Sequence, residues 1–328
     1  MRFGPVPLHQ AEGRVLAHNV MAPDGRRLLR KGRRLDEDAL ATIRTTGMSE
    51  VWVAQLEAGD VHEDEAAAAI AGLLGGPGLD VSPPHQARVN LTAAQSGVVR
   101  VRIEALLALN RIAGVTVATP PPDRWVEKGA RAATVKILPY ALPAAAMEAA
   151  VAAARGGAVV RVDPLLREEV ALILVGAPIA ESPRLQSMLE AIRQRVARYE
   201  ASVRWVDRVP PRPRGIGQVL TARLAEGAKV VVVAGETAIM DPDDIIPRGL
   251  REGGVQVERY GVPVDPGHLL LLGYGGEVPI LGAPGCIQGS LPDAVDLLLP
   301  RLLVGERLTS SDLVALGAGG LLASPRRR

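Results

Sequence analysis

The chain has 328 residues, 38 Lys and Arg against 36 Asp and Glu, 48% apolar residues and 23% charged ones. At roughly 150 residues per domain this length predicts two or three domains, and the apolar content excludes wholesale disorder. A net charge of +2 with one Phe, three Trp and four Tyr argues against a nucleic-acid surface, and the single cysteine, Cys286, excludes an intramolecular disulfide framework or a cysteine-cluster metal site.

The first residues, Met1 to Pro7, hold no apolar signal core. No uninterrupted apolar run approaches the roughly 18 residues of a membrane span. A cytoplasmic protein without a membrane partner is therefore expected. Arg326, Arg327 and Arg328 read as a frayed basic tail, and the five histidines never fall at an HxxxH spacing.

The elements read in chain order as follows. Residues 1–80 predict a small α/β unit. Val15–Val20 alternates like a strand, Asp24-Gly25 signals a hairpin turn, and Leu35–Leu40 begins a helix that stops at Gly47. Glu50–Ala54 is a strand. Asp60 with Glu63 reads as a capping box ahead of an alanine-rich helix ending near Leu74. Gly75–Gly78 and Pro83-Pro84 break the chain. Residues 81–143 predict a β-rich module, with strands at Val98–Ile103, Val115–Thr119 and Ala133–Leu138 and a short helix at Ile103–Leu109.

Residues 144–328 alternate regularly. A helix at Ala144–Ala154 leads to strand Val170–Val175, helix Arg184–Tyr199, strand Ser202–Val206 and helix Gly217–Ala225. The continuous run Val230–Ala234 suits a strand buried on both faces of a parallel sheet. Helix Pro242–Glu252, strand Val255–Arg259, strands at Leu269–Leu272 and Pro279–Leu281, and helix Ile287–Leu303 follow. This pattern predicts a three-layer α/β/α domain with a mainly parallel sheet. Ligands of such sheets bind beyond the C-terminal ends of the strands.

Two strand-to-helix loops lie there. In Ala234–Asp244, Asp241 is placed as N-cap with Pro242 at the first helical position. Its carboxylates either cap the helix or serve a site, where Asp241 or Asp243 would ligate a metal or accept a ligand's donors. In Gly282–Ser290, Gly285 permits close backbone approach, and a helix start there would offer amides to an anion. Cys286 is either a thiol acidified by that helix end or a small buried hydrophobe. Between the loops, Asp265-Pro266-Gly267-His268 reads as a turn or as a polar pair.

These loops resemble the molybdopterin-binding domain of molybdenum cofactor biosynthesis proteins. That family carries a Gly-Gly-x-Ser-x-Gly-x-x-Asp loop after an apolar strand, where Gly235–Asp243 stands here. Pro266-Gly267 and Pro284-Gly285 match its two Pro-Gly turns. Asp60–Ala67, Arg88–Leu91, Ala133–Ile137, Pro263–Gly267, Gly282–Cys286 and Gly317–Leu322 resemble the molybdopterin-binding part of bacterial molybdenum cofactor cytidylyltransferase-type proteins. The likeness to molybdopterin molybdotransferase is more distant.

The resemblance implies a molybdopterin or molybdenum cofactor ligand, with Mg2+ as an optional companion. It assigns Gly235, Glu236, Thr237, Ala238, Asp265, Pro266, Gly267, Pro284, Gly285 and Cys286 to ligand binding, and Asp243 and Asp241 to catalysis. It implies molybdate, a nucleotidyltransferase or molybdoenzyme-maturation partner, and a homo-oligomer. Glu236 and Met240 stand where the family has glycine, Ala238 where it has serine, and Asp265 where it has lysine. The Arg-Met-Gly loop of nucleotidyltransferases and the Walker loop have no counterpart. A non-catalytic cofactor carrier or sensor, and an α/β scaffold without cofactor, stand as the alternatives.

Overall fold

The computed structural model describes residues 1–178, 181–289 and 291–322. The arginines at 326–328 lie outside the described residues. Two units divide the chain: Met1–Gln95 with Val99–Val162, and Ser96–Val98 with the chain from Asp163 onward. Among the described residues, no helix is long and apolar enough to cross a membrane.

In the first unit, strand Glu50–Gln55 pairs antiparallel with Arg2–Pro7 and Val15–Leu16. Helix Glu37–Arg44 starts where the Asp36 carboxylate accepts the Ala39 amide at 2.8 Å. It contributes Leu40 and Ile43 to a core shared with Leu16, Leu35, Val51 and Val53. The stretch read as one strand, Val15–Val20, is two: Val20–Met21 turns away and pairs with Arg27–Leu29 around Asp24-Gly25, where Gly25 takes φ +81°.

The expected capping box at Asp60 is corrected. Helix Glu63–Leu74 is capped by His62, whose Nδ1 accepts the Asp64 amide at 3.3 Å. Asp60 instead accepts the Glu57 amide at 2.8 Å and pairs with the terminal ammonium of Met1 at 2.8 Å. That helix packs on a four-stranded antiparallel sheet ordered Val115–Ala118, Arg131–Ile137, Arg88–Ala93, Leu79–Val81. Ile70, Leu74, Val89, Leu91, Val135 and Ile137 are fully buried between them. Ala150 of helix Ala144–Ala153, and the following Ala154, join this same core.

The second unit is built on six strands ordered Ser202–Val209, Glu169–Val175, Val230–Gly235, Val278–Gly282, Leu271–Gly275, Gln256–Tyr260. The first four run parallel, and Leu271–Gly275 runs antiparallel to both of its neighbours, Val278–Gly282 and Gln256–Tyr260. Val231 and Val233 face helices Pro213–Ala225 and Ile245–Glu252 through Ile216, Leu220, Ile246 and Leu250. Alternate residues Leu172, Leu174, Val230 and Val232 point to the other face and are also fully buried. Burial on both faces is why this strand reads as unbroken valine rather than as an alternation.

Candidate functional site at the C-terminal edge of the sheet

Register decides which loops meet. Val175 pairs with Val209 and Gly235, and Val233 pairs with Gly282, so four parallel strands end along one edge. Leu271 opposes both Gly282 and Tyr260, which brings the Gly261–Leu270 connection to the same edge. The Gly235, Gly282 and Asp265 loops therefore share one rim of the second unit.

Glu236 is a carboxylate anchored on that rim. Its amide donates to the Val175 carbonyl at 3.0 Å, and its Oε2 accepts the Ala177 amide at 2.9 Å. A Cβ at Gly176 would overlap that carboxylate, so only glycine leaves room for it. A hydrogen bond from Ser182, then the Ala177 amide and the nearby Arg184 and Arg208 guanidinium groups, hold the Glu236 carboxyl below its ordinary range. Ser182 is itself the N-cap of helix Pro183–Arg198.

Gly176, Gly235, Glu236, Thr237, Ala238 and Asp244 line a cavity of about 80 Å³. That is below the roughly 300–1,000 Å³ of small-molecule pockets, so a larger ligand would lie mostly across the open rim. Gly235 owes its lack of a side chain to packing: a Cβ would stand 2.9 Å from Ile246 Cδ1.

The helix start at Pro242 is corrected. The helix is Ile245–Glu252, and its N-cap is Asp244, whose two oxygens accept the Ile245 amide at 2.7 Å and the Met240 amide at 3.0 Å. Asp241 accepts the Asp243 amide at 2.7 Å, and Asp243 pairs with Arg251 at 2.5 Å. Neither Asp241 nor Asp243 lines the cavity. Among the described residues, no group of His, Cys, Asp or Glu is assembled to hold a metal ion.

The late loop also differs from its expected form. Gly285–Gln288 is a short 3-10 turn, and the α-helix begins only at Ala294, behind Asp293 and its capping box with Asp296. No α-helix N-terminus stands at Pro284-Gly285-Cys286. Pro292 lacks the amide that a helix running through from Ile287 needs, and Arg195, buried at 4% exposure on helix Pro183–Arg198, braces the stretch. Arg195 donates to the carbonyls of Ile287 (2.8 Å), Gly289 (3.0 Å) and Leu291 (2.9 Å) and to Asp293 (3.1 Å) and Asp296 (3.3 Å). Those bonds tie three carbonyls of the loop to one side chain.

Burial pushes the Cys286 thiol up to about 11, so it is a protonated, half-buried group and not an acidified nucleophile. Gly285 remains open. A Cβ there would meet only Arg184 Nη2 at 3.2 Å and Ala238 Cβ at 3.7 Å, which places this loop beside the Gly235 loop.

Asp265, Pro266 and Gly267 have structural duties. The Asp265 amide donates to Gly320 at 2.8 Å, and its carbonyl accepts Leu322 at 2.9 Å. Pro266 accepts the Ala294 amide at 3.1 Å, and a Cβ at Gly267 would stand 2.7 Å from that nitrogen. Arg184, Arg208 and Arg195 escape the sequence reading as site residues, and Asp244 enters it only as part of a helix start. Ser182-Pro183-Arg184, a cap, a first-turn proline and a cation, is a helix-start signal that could have found the first of them.

A family model for a domain of unknown function, DUF8806, matches residues 5–55. No curated protein matches the chain. Among solved structures, the chain is similar to the molybdopterin biosynthesis moea protein from Pyrococcus horikosii, at 14% identity and TM-score 0.33, over 92% of this chain and 75% of that one. It is similar to the protein CinA with unknown function from Thermoplasma acidophilum, at 17% identity and TM-score 0.31, over 37% and 90%. The molybdopterin biosynthesis Mog protein from Mycobacterium ulcerans matches at 14% identity and TM-score 0.28, over 41% and 91%. Each is a distant structural similarity.

Proposed function

We propose that the second unit is a molybdopterin-binding module of molybdenum cofactor biosynthesis, acting as a cytoplasmic homo-oligomer that holds the phosphorylated pterin across the rim described above. The observation that carries this reading is the meeting of the Gly235 and Gly285 loops, which bear the family's motifs, around a carboxylate flanked by two arginines. A pterin ring presents N–H donors, and its side chain ends in a phosphate. Glu236 and Asp244 suit the donors; Arg184 and Arg208 suit the phosphate. Open backbone at Gly285 lets the anion approach.

Asp243 is tied to Arg251, and Asp241 to the Asp243 amide. These commitments favour binding and presentation over proton transfer by those two carboxylates. Metal insertion or nucleotidylation then falls to a partner that brings its own catalytic groups, with molybdate as that reaction's substrate.

Native mass spectrometry and fluorescence of the purified full chain test the reading directly; a bound pterin is the expected result. Titration of Gly285→Val with molybdopterin tests the loop. Its new side chain meets the movable end of Arg184, so the variant is expected to fold while affinity falls at least about tenfold, the loss of roughly one charge-assisted hydrogen bond. An unchanged affinity in a folded variant removes the loop from the site.

A further inference from the structure

The first unit contains a cleft of about 520 Å³, separate from the rim loops of the second unit. Its volume lies within the range of small-molecule sites. Arg27, Arg30, Lys31, Arg88 and Lys136 line it, against one carboxylate, Glu63. The rest of the chain is nearly charge-balanced, so this concentration of one sign is local. Among the described residues, Arg27, Arg30, Lys31 and Arg88 make no ion pair. Five cations around one hollow repel one another, and a bound anion relieves that repulsion.

The wall is built rather than incidental. Gln86 and Ala87 both take left-handed φ, +52° and +60°, between the strands Leu79–Val81 and Arg88–Ala93. Such backbone is costly for residues other than glycine and needs surrounding structure to hold it. Here the Asp64 carboxylate accepts the Ala87 amide at 2.6 Å, and Ala87 accepts the Ile137 amide at 2.9 Å. Lys136 Nζ donates to the Gln86 carbonyl. The result points His85, Gln86 and Arg88 into one hollow. On the opposite side, Asn19 Oδ1 accepts the Lys31 amide at 2.9 Å, and Tyr140 donates to the Ala17 carbonyl at 2.7 Å. Both arms of the hairpin Val20–Leu29 and its continuation are thereby fixed beside the cleft.

The floor is the drier part. Lys136, Glu63 and Tyr140 are half-buried, whereas Arg27, Arg30, Lys31 and Arg88 stand exposed at the mouth. Burial lowers Lys136 and raises Glu63 from their ordinary values, each partly offset by the other's charge.

We propose that this cleft is a binding site for a small molecule bearing a diphosphate or longer phosphate chain, with Arg27, Arg30, Lys31 and Arg88 gripping the phosphates and Glu63 accepting a donor from the remainder. Four exposed cations around a hollow of about 520 Å³, much larger than one phosphate, favour linked anionic groups over a single phosphate. The enclosed volume favours a small molecule over an extended polymer.

Isothermal titration of the full chain with inorganic pyrophosphate, at fixed ionic strength, tests this. Saturable one-to-one binding is expected, tighter than for inorganic phosphate. Arg30→Ala and Arg88→Ala remove exposed side chains, so folding should persist, checked by circular dichroism. Each is expected to weaken pyrophosphate at least about tenfold, while Arg193→Ala on the second unit leaves it unchanged. Absence of binding overturns the proposal. So does equal affinity for phosphate and pyrophosphate, or an equal loss in all three variants. A single-stranded RNA that binds where pyrophosphate does not also overturns it, in favour of a polyelectrolyte surface.

Discussion

Arg195 shows how one buried side chain sets a loop. Its five hydrogen bonds, from Nε, Nη1 and Nη2, end on three carbonyls and two carboxylates, all between Ile287 and Asp296. Removing it leaves Asp293, 1% exposed, with its charge uncompensated. Arg195→Met is therefore expected to destabilise the protein by about 3–5 kcal/mol in urea unfolding, the usual result of breaking a buried pair from one side. An effect under about 1 kcal/mol contradicts this account. Cys286 makes the opposite point. With its thiol pushed up to about 11, it should react with a disulfide reagent at pH 7.5 far more slowly than a small free thiol. Cys286→Ser should change ligand affinity little. Rapid labelling of the native protein shows that the thiol is exposed and acidified instead.

At the scale of elements, helix starts carry most of the difference between expectation and structure. Asp241 and Asp60 have the right side chains for caps, yet Asp244 and His62 cap the helices. Several nearby oxygens compete for the same amides, and the winner depends on the angle at which the chain leaves the preceding strand. Helix Ala294–Leu303 has a further property. Burial pushes its cap Asp293 up to about 6, partly opposed by Arg195. The native state thus takes up a proton as pH falls through about 6, whereas the unfolded chain does so only near the ordinary carboxyl value. By linkage, acidification from pH 7 to 5 favours the native state at this residue. The stability of the parent relative to Asp293→Asn should therefore rise by about 1 kcal/mol over that interval, measured by urea unfolding at both pH values. No change over that interval means that the carboxylate stays ionised beside Arg195.

At the scale of the whole molecule, each unit has its own core, and the second one is organised around the strand Val230–Gly235 and its neighbour Glu169–Val175. Ile173 is fully buried against the helices that cover Val231 and Val233. Ile173→Ala is expected to cost about 2–5 kcal/mol, with faster amide exchange across both strands. An unperturbed exchange pattern there contradicts the central placement.

Much of this arrangement was legible in the amino-acid order. Valine runs flanked by amphipathic segments specify a buried, mainly parallel sheet, because period and burial are local properties of the chain. Asp24-Gly25, Asp36 and Gly47 mark turns and a helix for the same reason: their preferences act within a few residues. The rim loops could be placed too, since parallel strands joined by helices all end on one side. Tertiary structure alone decided the rest. Arg195 meets Ile287 through Asp296 across about a hundred positions, and no periodicity reports such a pairing. The cationic cleft joins Arg27 and Arg30 to Arg88 and Lys136, residues that lie on separate hairpins and strands and carry no shared motif. Local sequence sets which elements form; long-range packing sets which charges they bring face to face.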